Sequence, residues 1–212
     1  MTFGSPSKHI LIFAVPLLIG NLFQQLYNMV DSLIVGNFVG ANALASVGTC
    51  GSVSFLFFAL SSGIALGIGI IVAQYFGAKN EEKVRHTIGN SFYVLIAASL
   101  VVSLIGIFFS PFIMTLLQCP DIIRKDAITY LRTSCYGIVF IALYNGVAAI
   151  LRALGDSKTP LYFLILSSIV NVVLDLVFVL CFDWAVFGVA LATVISQAVS
   201  AIASLIYAFK KV

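Results

Sequence analysis

The sequence predicts an all-α membrane protein built as a bundle of six transmembrane helices, and three observations carry that prediction. Hydrophobic residues make up 61% of the 212 residues and charged residues 9%, with a mean hydropathy of +1.14. Soluble domains are about half apolar and about a quarter charged. Charge-free gaps separate Lys8 from Asp31, Asp31 from Lys79, Arg85 from Asp121, Arg132 from Arg152, Lys158 from Asp175 and Asp183 from Lys210. Within those gaps the apolar runs are continuous and lack the alternation of a membrane barrel strand. Helices are the remaining way to satisfy backbone polar groups in lipid. This composition argues against water-soluble enzymes and nucleic-acid binders.

A helix needs about 20 residues to cross a hydrocarbon core of about 30 Å. The pattern places spans at 10–37, 46–76, 88–110, 129–151, 160–181 and 185–208, in a single domain covering 1–212. The first reads as a retained helix rather than a secretory signal, because its apolar run is long and has no small-x-small cleavage site. Pro16 inside it frees a carbonyl and permits a bend. Asn21, Gln24, Asn28 and Asp31 recur at spacings of three, four and three, flanked by Gln25 and Tyr27. Such a polar face is expected to line a cavity. Gly36, Gly40 and Asn42 then form the turn.

The second helix carries Ser61, Ser62, Gly63, Gly67 and Gly69, small residues that suit close packing, including a GxxxG pair. Gly77 and Asn80 connect it to the third, which is expected to end at Pro111, before Pro120. The fourth contains Tyr144 and Asn145, read either as cavity-lining or as an ordinary interhelical contact. The run from Gly155 to Pro160 is a turn in which Asp156 and Lys158 are expected to be solvated. Pro160 opens the fifth helix, where its missing N–H costs nothing. The sixth follows Trp184.

Six spans place both termini on one side. That side holds Lys8, Lys79, Lys83, Arg85, Arg152, Lys158, Lys210 and Lys211, against Arg124, Lys125 and Arg132 opposite. Loop cations favour the cytoplasm, so both ends are expected there, in a plasma (inner) membrane. Cys50, Cys119, Cys135 and Cys181 are dispersed and read as small apolar filler. His9 and His86 form no metal-ligand spacing.

Two carboxylates break the apolar helices. At a helix centre each costs about 2.5–3.5 kcal/mol, whereas an interhelical hydrogen bond returns about 0.6 kcal/mol. Gluing helices is therefore too small a gain to explain Asp31 and Asp175, and a functional role is expected. Asp175 lies fifteen residues past Pro160, roughly 22 Å along the helix, and Asp31 lies fifteen residues past Pro16. Thr193 returns to a similar depth about 14 Å beyond Trp184, and Asn171 shares a face with Asp175. Asp31, Asn171, Asp175 and Thr193 thus supply oxygen donors suited to Na⁺ or a proton. Two carboxylates sharing a low-dielectric pocket cannot both ionise cheaply, so one proton or cation should serve both.

Chemistry of other kinds is missing. There is no HExxH and no GxSxG, and Gly155-Asp-Ser-Lys-Thr159 lacks the glycine before lysine that a phosphate loop needs. Neither an enzyme nor a bound cofactor is expected.

Pro16, Gln24, Tyr27 and the run Asn28-Met-Val-Asp31-Ser-Leu-Ile-Val-Gly36 resemble the opening helix of the multidrug and toxin extrusion (MATE) family. Gln74-Tyr-Phe-Gly-Ala78, Arg152-Ala-Leu-Gly-Asp-Ser-Lys-Thr-Pro160, Asn171-x-x-x-Asp175 and Ala192-Thr-Val-Ile195 extend the resemblance over nearly the whole chain. Family members have two six-helix lobes and export cationic or amphipathic compounds in exchange for H⁺ or Na⁺. The resemblance implies that this chain is the N-terminal lobe. Asp31, Asn171, Asp175 and Thr193 would be its cation-coupling site, Gln24 and Tyr27 cavity residues, and Pro16 the place where the first helix bends. It also implies a missing second lobe or a parallel homodimer partner. Competing readings are a lipid or polysaccharide-carrier flippase, a non-transporting fragment or membrane partner subunit, and an intramembrane aspartyl enzyme. The absence of deep cations argues against the flippase.

Overall fold

The computed structural model describes the backbone of residues 6–211 and the side chains of 14–210. The side chains of Lys8, His9 and Lys211 lie outside the described residues. The described chain folds as α1 (Pro6–Ile34), α2 (Ala41–Gly77), α3 (Glu81–Leu116), α4 (Asp121–Tyr136), α5 (Ile138–Ala153), α6 (Thr159–Leu176) and α7 (Ala185–Lys211). Two π-helical turns, Val35–Val39 and Val177–Cys181, extend α1 and α6. Among the described residues, α2, α3, α7 and α6 with its π-helical turn are each long and apolar enough to cross a membrane. The bent pair α4–α5 makes a fifth candidate.

Sequence and structure part company in the middle of the chain. The fourth span, expected at 129–151, starts earlier and consists of two helices bent by 43° around Gly137. The bend follows from a close approach. A Cβ on Gly137 would lie 3.1 Å from the Ser134 carbonyl oxygen and 3.2 Å from Val194 Cγ2 on α7. Ser103 of α3 donates to the Cys135 carbonyl at 2.8 Å, beside the break. Losing that donor leaves a buried acceptor unpaired, so Ser103→Ala should lower stability by about 1 kcal/mol, read as an earlier thermal unfolding midpoint in detergent. An unchanged midpoint would show that the carbonyl finds another partner.

Pro111 also departs from expectation. It lies inside α3, which runs on to Leu116 rather than ending at 110. The break comes at Gln118 (φ 52°), where Cys119 N–H donates back to the Met114 carbonyl. The same six-to-one closure ends α2, with Asn80 N–H on Tyr75, and α5, with Asp156 N–H on Leu151. Only the last uses glycine at the left-handed position, Gly155 at φ 96°, where a side chain would be strained.

Helix packing follows the chain only in part. α1 lies on α6, α6 on α7, α7 on α4 and α5, α5 on α2, and α3 against α2, α4 and α5. The expected GxxxG packing is not where these helices meet. Nothing lies within 4 Å of a Cβ on Gly63 or Gly67, whereas one on Gly69 would sit 3.3 Å from Ala149 Cβ of α5. Asp156 is likewise not simply solvated. Its carboxylate accepts from Thr159 N–H at 3.1 Å and from the Thr159 hydroxyl at 2.7 Å, and Tyr207 of α7 donates to it at 3.4 Å. The α5–α6 turn is thereby tied to the end of α7. Cys50, Cys119 and Cys135 are buried and Cys181 is exposed.

Candidate functional site

The structure brings Asp31, Asn171, Asp175, Thr193 and Tyr27 together. Asp31 is 8% exposed and Asn171 and Asp175 are 0% exposed. Asp31 stands four residues before the π-helical turn Val35–Val39 and Asp175 two residues before Val177–Cys181. These two turns touch, and their Val35 and Val179 share a core cluster with Ile34, Ala43, Val186 and Val189. An i→i+5 turn shifts the following side chains around the axis, and such turns gather at functional sites. Here that shift lets α1 and α6 bury apolar side chains immediately beyond their carboxyl groups.

The two carboxyl groups are close enough to act on each other directly. Asp31 Oδ1, Asn171 Oδ1 and both Asp175 oxygens are buried without a hydrogen-bond donor from the described residues. Among the described residues, no cationic side chain acts on either carboxyl. Four acceptor oxygens without a donor are costly in a low-dielectric interior. A proton carried by the pair, or a cation, is the chemistry that relieves them.

Thr193 sets the polarity around this centre. Its hydroxyl donates to the Val189 carbonyl at 3.1 Å, leaving its lone pairs to accept from Tyr27 Oη at 3.4 Å and from Asn171 Nδ2 at 3.5 Å. With its amide nitrogen on Thr193, Asn171 keeps a buried Oδ1 that no described donor meets. The donor set is therefore all oxygen, which suits a hard cation.

Other predicted residues fall elsewhere. Gln24 is half-buried, while Asn21 and Asn28 lie on the open face of α1 beside exposed Leu22, Leu26 and Met29. Tyr144 donates to the Pro160 carbonyl at 2.9 Å, and Asn145 Nδ2 donates to Ser62 Oγ at 3.4 Å. Both make interhelical ties. Pro16 lies within α1, which continues through it. Sequence reasoning missed Tyr130 of α4, which lies within electrostatic range of both aspartates. Ser134, one turn on, interacts with the Tyr130 hydroxyl. Tyr130 falls inside the expected fourth span, but nothing in the local spacing marks it as facing the two aspartates.

Fold and site together define a polytopic helical membrane bundle with a buried acidic centre. A family model described as MatE matches residues 16–177. YoeA of Bacillus subtilis (strain 168), described as a probable multidrug resistance protein, is 33% identical, with 94% of this chain and 44% of YoeA covered. A MOP superfamily transporter from Pyrococcus furiosus, whose structure is described under reversed binding-pocket polarity suggesting a different function, superposes with a TM-score of 0.92 at 27% identity. That match covers 98% of this chain and 46% of the transporter. A multidrug resistance MATE family transporter in an outward-facing conformation gives 0.89 at 27% identity, with 98% and 46% covered. The chain belongs to the MATE family. It spans about half the length of the curated relatives it matches.

Proposed function

We propose that this chain forms one six-helix lobe of a secondary antiporter that exports cationic or amphipathic compounds in exchange for H⁺ or Na⁺. The observation that carries the reading is the facing pair Asp31 and Asp175, whose buried oxygens have no donor. Such a centre is short of one positive charge. Loading from the outside would fill it as substrate leaves, and release to the inside would reset it. Asp31 and Asp175 hold the ion, while Asn171 and Thr193 orient it. Asn21, Gln24, Tyr27 and Asn28 offer amide and hydroxyl groups to a substrate on the adjoining face of α1. Pro16 lets that helix change shape between states.

Exposed Leu18, Leu22, Leu26 and Met29 on α1 suit burial against a second lobe, or against a second copy inserted in parallel. The cation bias supports termini on the cytoplasmic side of a plasma membrane. A flippase for phosphate-bearing lipid carriers would want cations at depth, and none acts on this centre.

The test is export of a fluorescent cationic dye from vesicles containing the intact transporter, under an imposed pH or Na⁺ gradient of either direction. Export should follow one of the two gradients and reverse with it. Dye movement indifferent to both would remove the antiport reading.

A further inference from the structure

A pocket of about 290 Å³ opens between α3, α5 and α7, away from the acidic centre. We propose that it seats an acyl chain of an anionic phospholipid, with the phosphate held by Arg85. Buried Val147 and Ile150 of α5 form the floor. Phe92 of α3 and Phe209 of α7 stack at 6.1 Å with an interplanar angle of 16° and make a wall. Gly89 leaves the gap between them and the floor. No atom lies within 4 Å of a Cβ placed on it, so the glycine serves open space rather than helix contact. The rim is exposed, Phe209 to 78%. An apolar slot of this kind has the chemistry of a hydrocarbon chain.

The charge fixes the headgroup. Arg85 lines the pocket one helical turn before Gly89, on the same face of α3. It makes no ion pair among the described residues, where the pairs are His86–Glu82 at 3.9 Å and Arg124–Asp121 at 3.7 Å. Glu81 and Glu82 share the first turn of α3, but neither is paired with Arg85. Lys210 follows Phe209 directly in sequence, and Lys83 sits over the Tyr75 ring at 5.4 Å. A guanidinium presents a fork that matches phosphate. Basic pockets between transmembrane helices at one membrane surface hold anionic headgroups. A free anion would have no use for the apolar slot, and a neutral lipid would have no use for Arg85.

The experiment is native mass spectrometry of the intact transporter equilibrated with mixed micelles of equal phosphatidylglycerol and phosphatidylcholine. Phosphatidylglycerol should be retained in preference. Arg85→Gln should cut its retention about five-fold, the effect of one cation at an anionic surface, without changing phosphatidylcholine. Gly89→Trp, which fills the slot, should remove one bound lipid, and Phe209→Ala provides a second variant if the first does not fold. Wild-type phosphatidylglycerol retention in Arg85→Gln overturns the headgroup assignment. Displacement of the lipid by inorganic phosphate alone overturns the acyl seat. Unchanged lipid number in both slot variants also overturns the proposal, leaving a polypeptide segment or second copy as the occupant.

Discussion

Asp175→Asn should abolish gradient-driven export by the intact transporter while leaving it folded. The side chain is completely buried and the carboxamide is nearly its isostere, so packing survives. Function does not. An amide cannot exchange a proton, and it brings no charge to a cation. Its NH₂ would also donate to Asp31, permanently satisfying an oxygen that otherwise waits for an ion. One-to-one coupling to a tenfold ion gradient transfers about 1.4 kcal/mol and supports about a tenfold substrate gradient. In the variant that ratio should fall to unity. Thermal unfolding should stay level or rise, because an acidic pair in the bilayer interior is costly. Dye accumulation in vesicles at matched protein amounts, together with the unfolding midpoint, checks both parts. Full coupled export by a stable Asp175→Asn protein would remove Asp175 from the ion site.

Gly146→Ala should be strongly destabilising for so small a substitution. A Cβ there collides with Leu95 Cδ1 and comes within 3.5 Å of its Cγ. Leu95 is 1% exposed, inside the cluster where α2, α3 and α5 meet, so it has little room to yield. Overpacking of this kind costs about 1–3 kcal/mol. Gly63→Ala is the matched comparison. Its Cβ enters open space, and the better helix propensity of alanine should stabilise it by up to about 1 kcal/mol. Adding Leu95→Val should recover part of the loss in Gly146→Ala but none of the change in Gly63→Ala. Thermal unfolding of the four variants in detergent gives the answer. Equal shifts for the two glycines would mean that the close approach of α3 and α5 is not stressed.

The membrane class was legible because composition leaves no alternative, and helix positions were legible wherever charges mark the ends. The α4 segment defeats that reading. Asp121, Arg124, Lys125 and Asp126 make its first turns look like a solvated loop, yet its other face buries Ile123, Ala127 and Leu131 against the core. The result is an amphipathic helix that bends at Gly137 and continues as α5. Pro111 misled for the opposite reason. A proline usually marks an end, but inside lipid-facing α3 the neighbouring turns carry the helix past it. The site was legible because few polar groups occur at depth, so Asp31, Asn171, Asp175 and Thr193 stood out. Tyr130 did not, because a tyrosine near the start of an expected span carries no such contrast.

By itself, the sequence determined that the chain enters a bilayer, that it does so as helices, and which acidic side chains burial makes too costly to be incidental. Those properties follow from composition and from the energy of transferring charge into hydrocarbon. Tertiary structure decided that the two carboxyl groups come together, that Asn171 and Tyr27 are tied to Thr193, and that π-helical turns close both helices just beyond. Local spacing cannot decide such matters. They depend on the rotation of α1 against α6 and α7, which is set by the fit of buried side chains such as Val35, Val179 and Val189 between helices far apart in the chain.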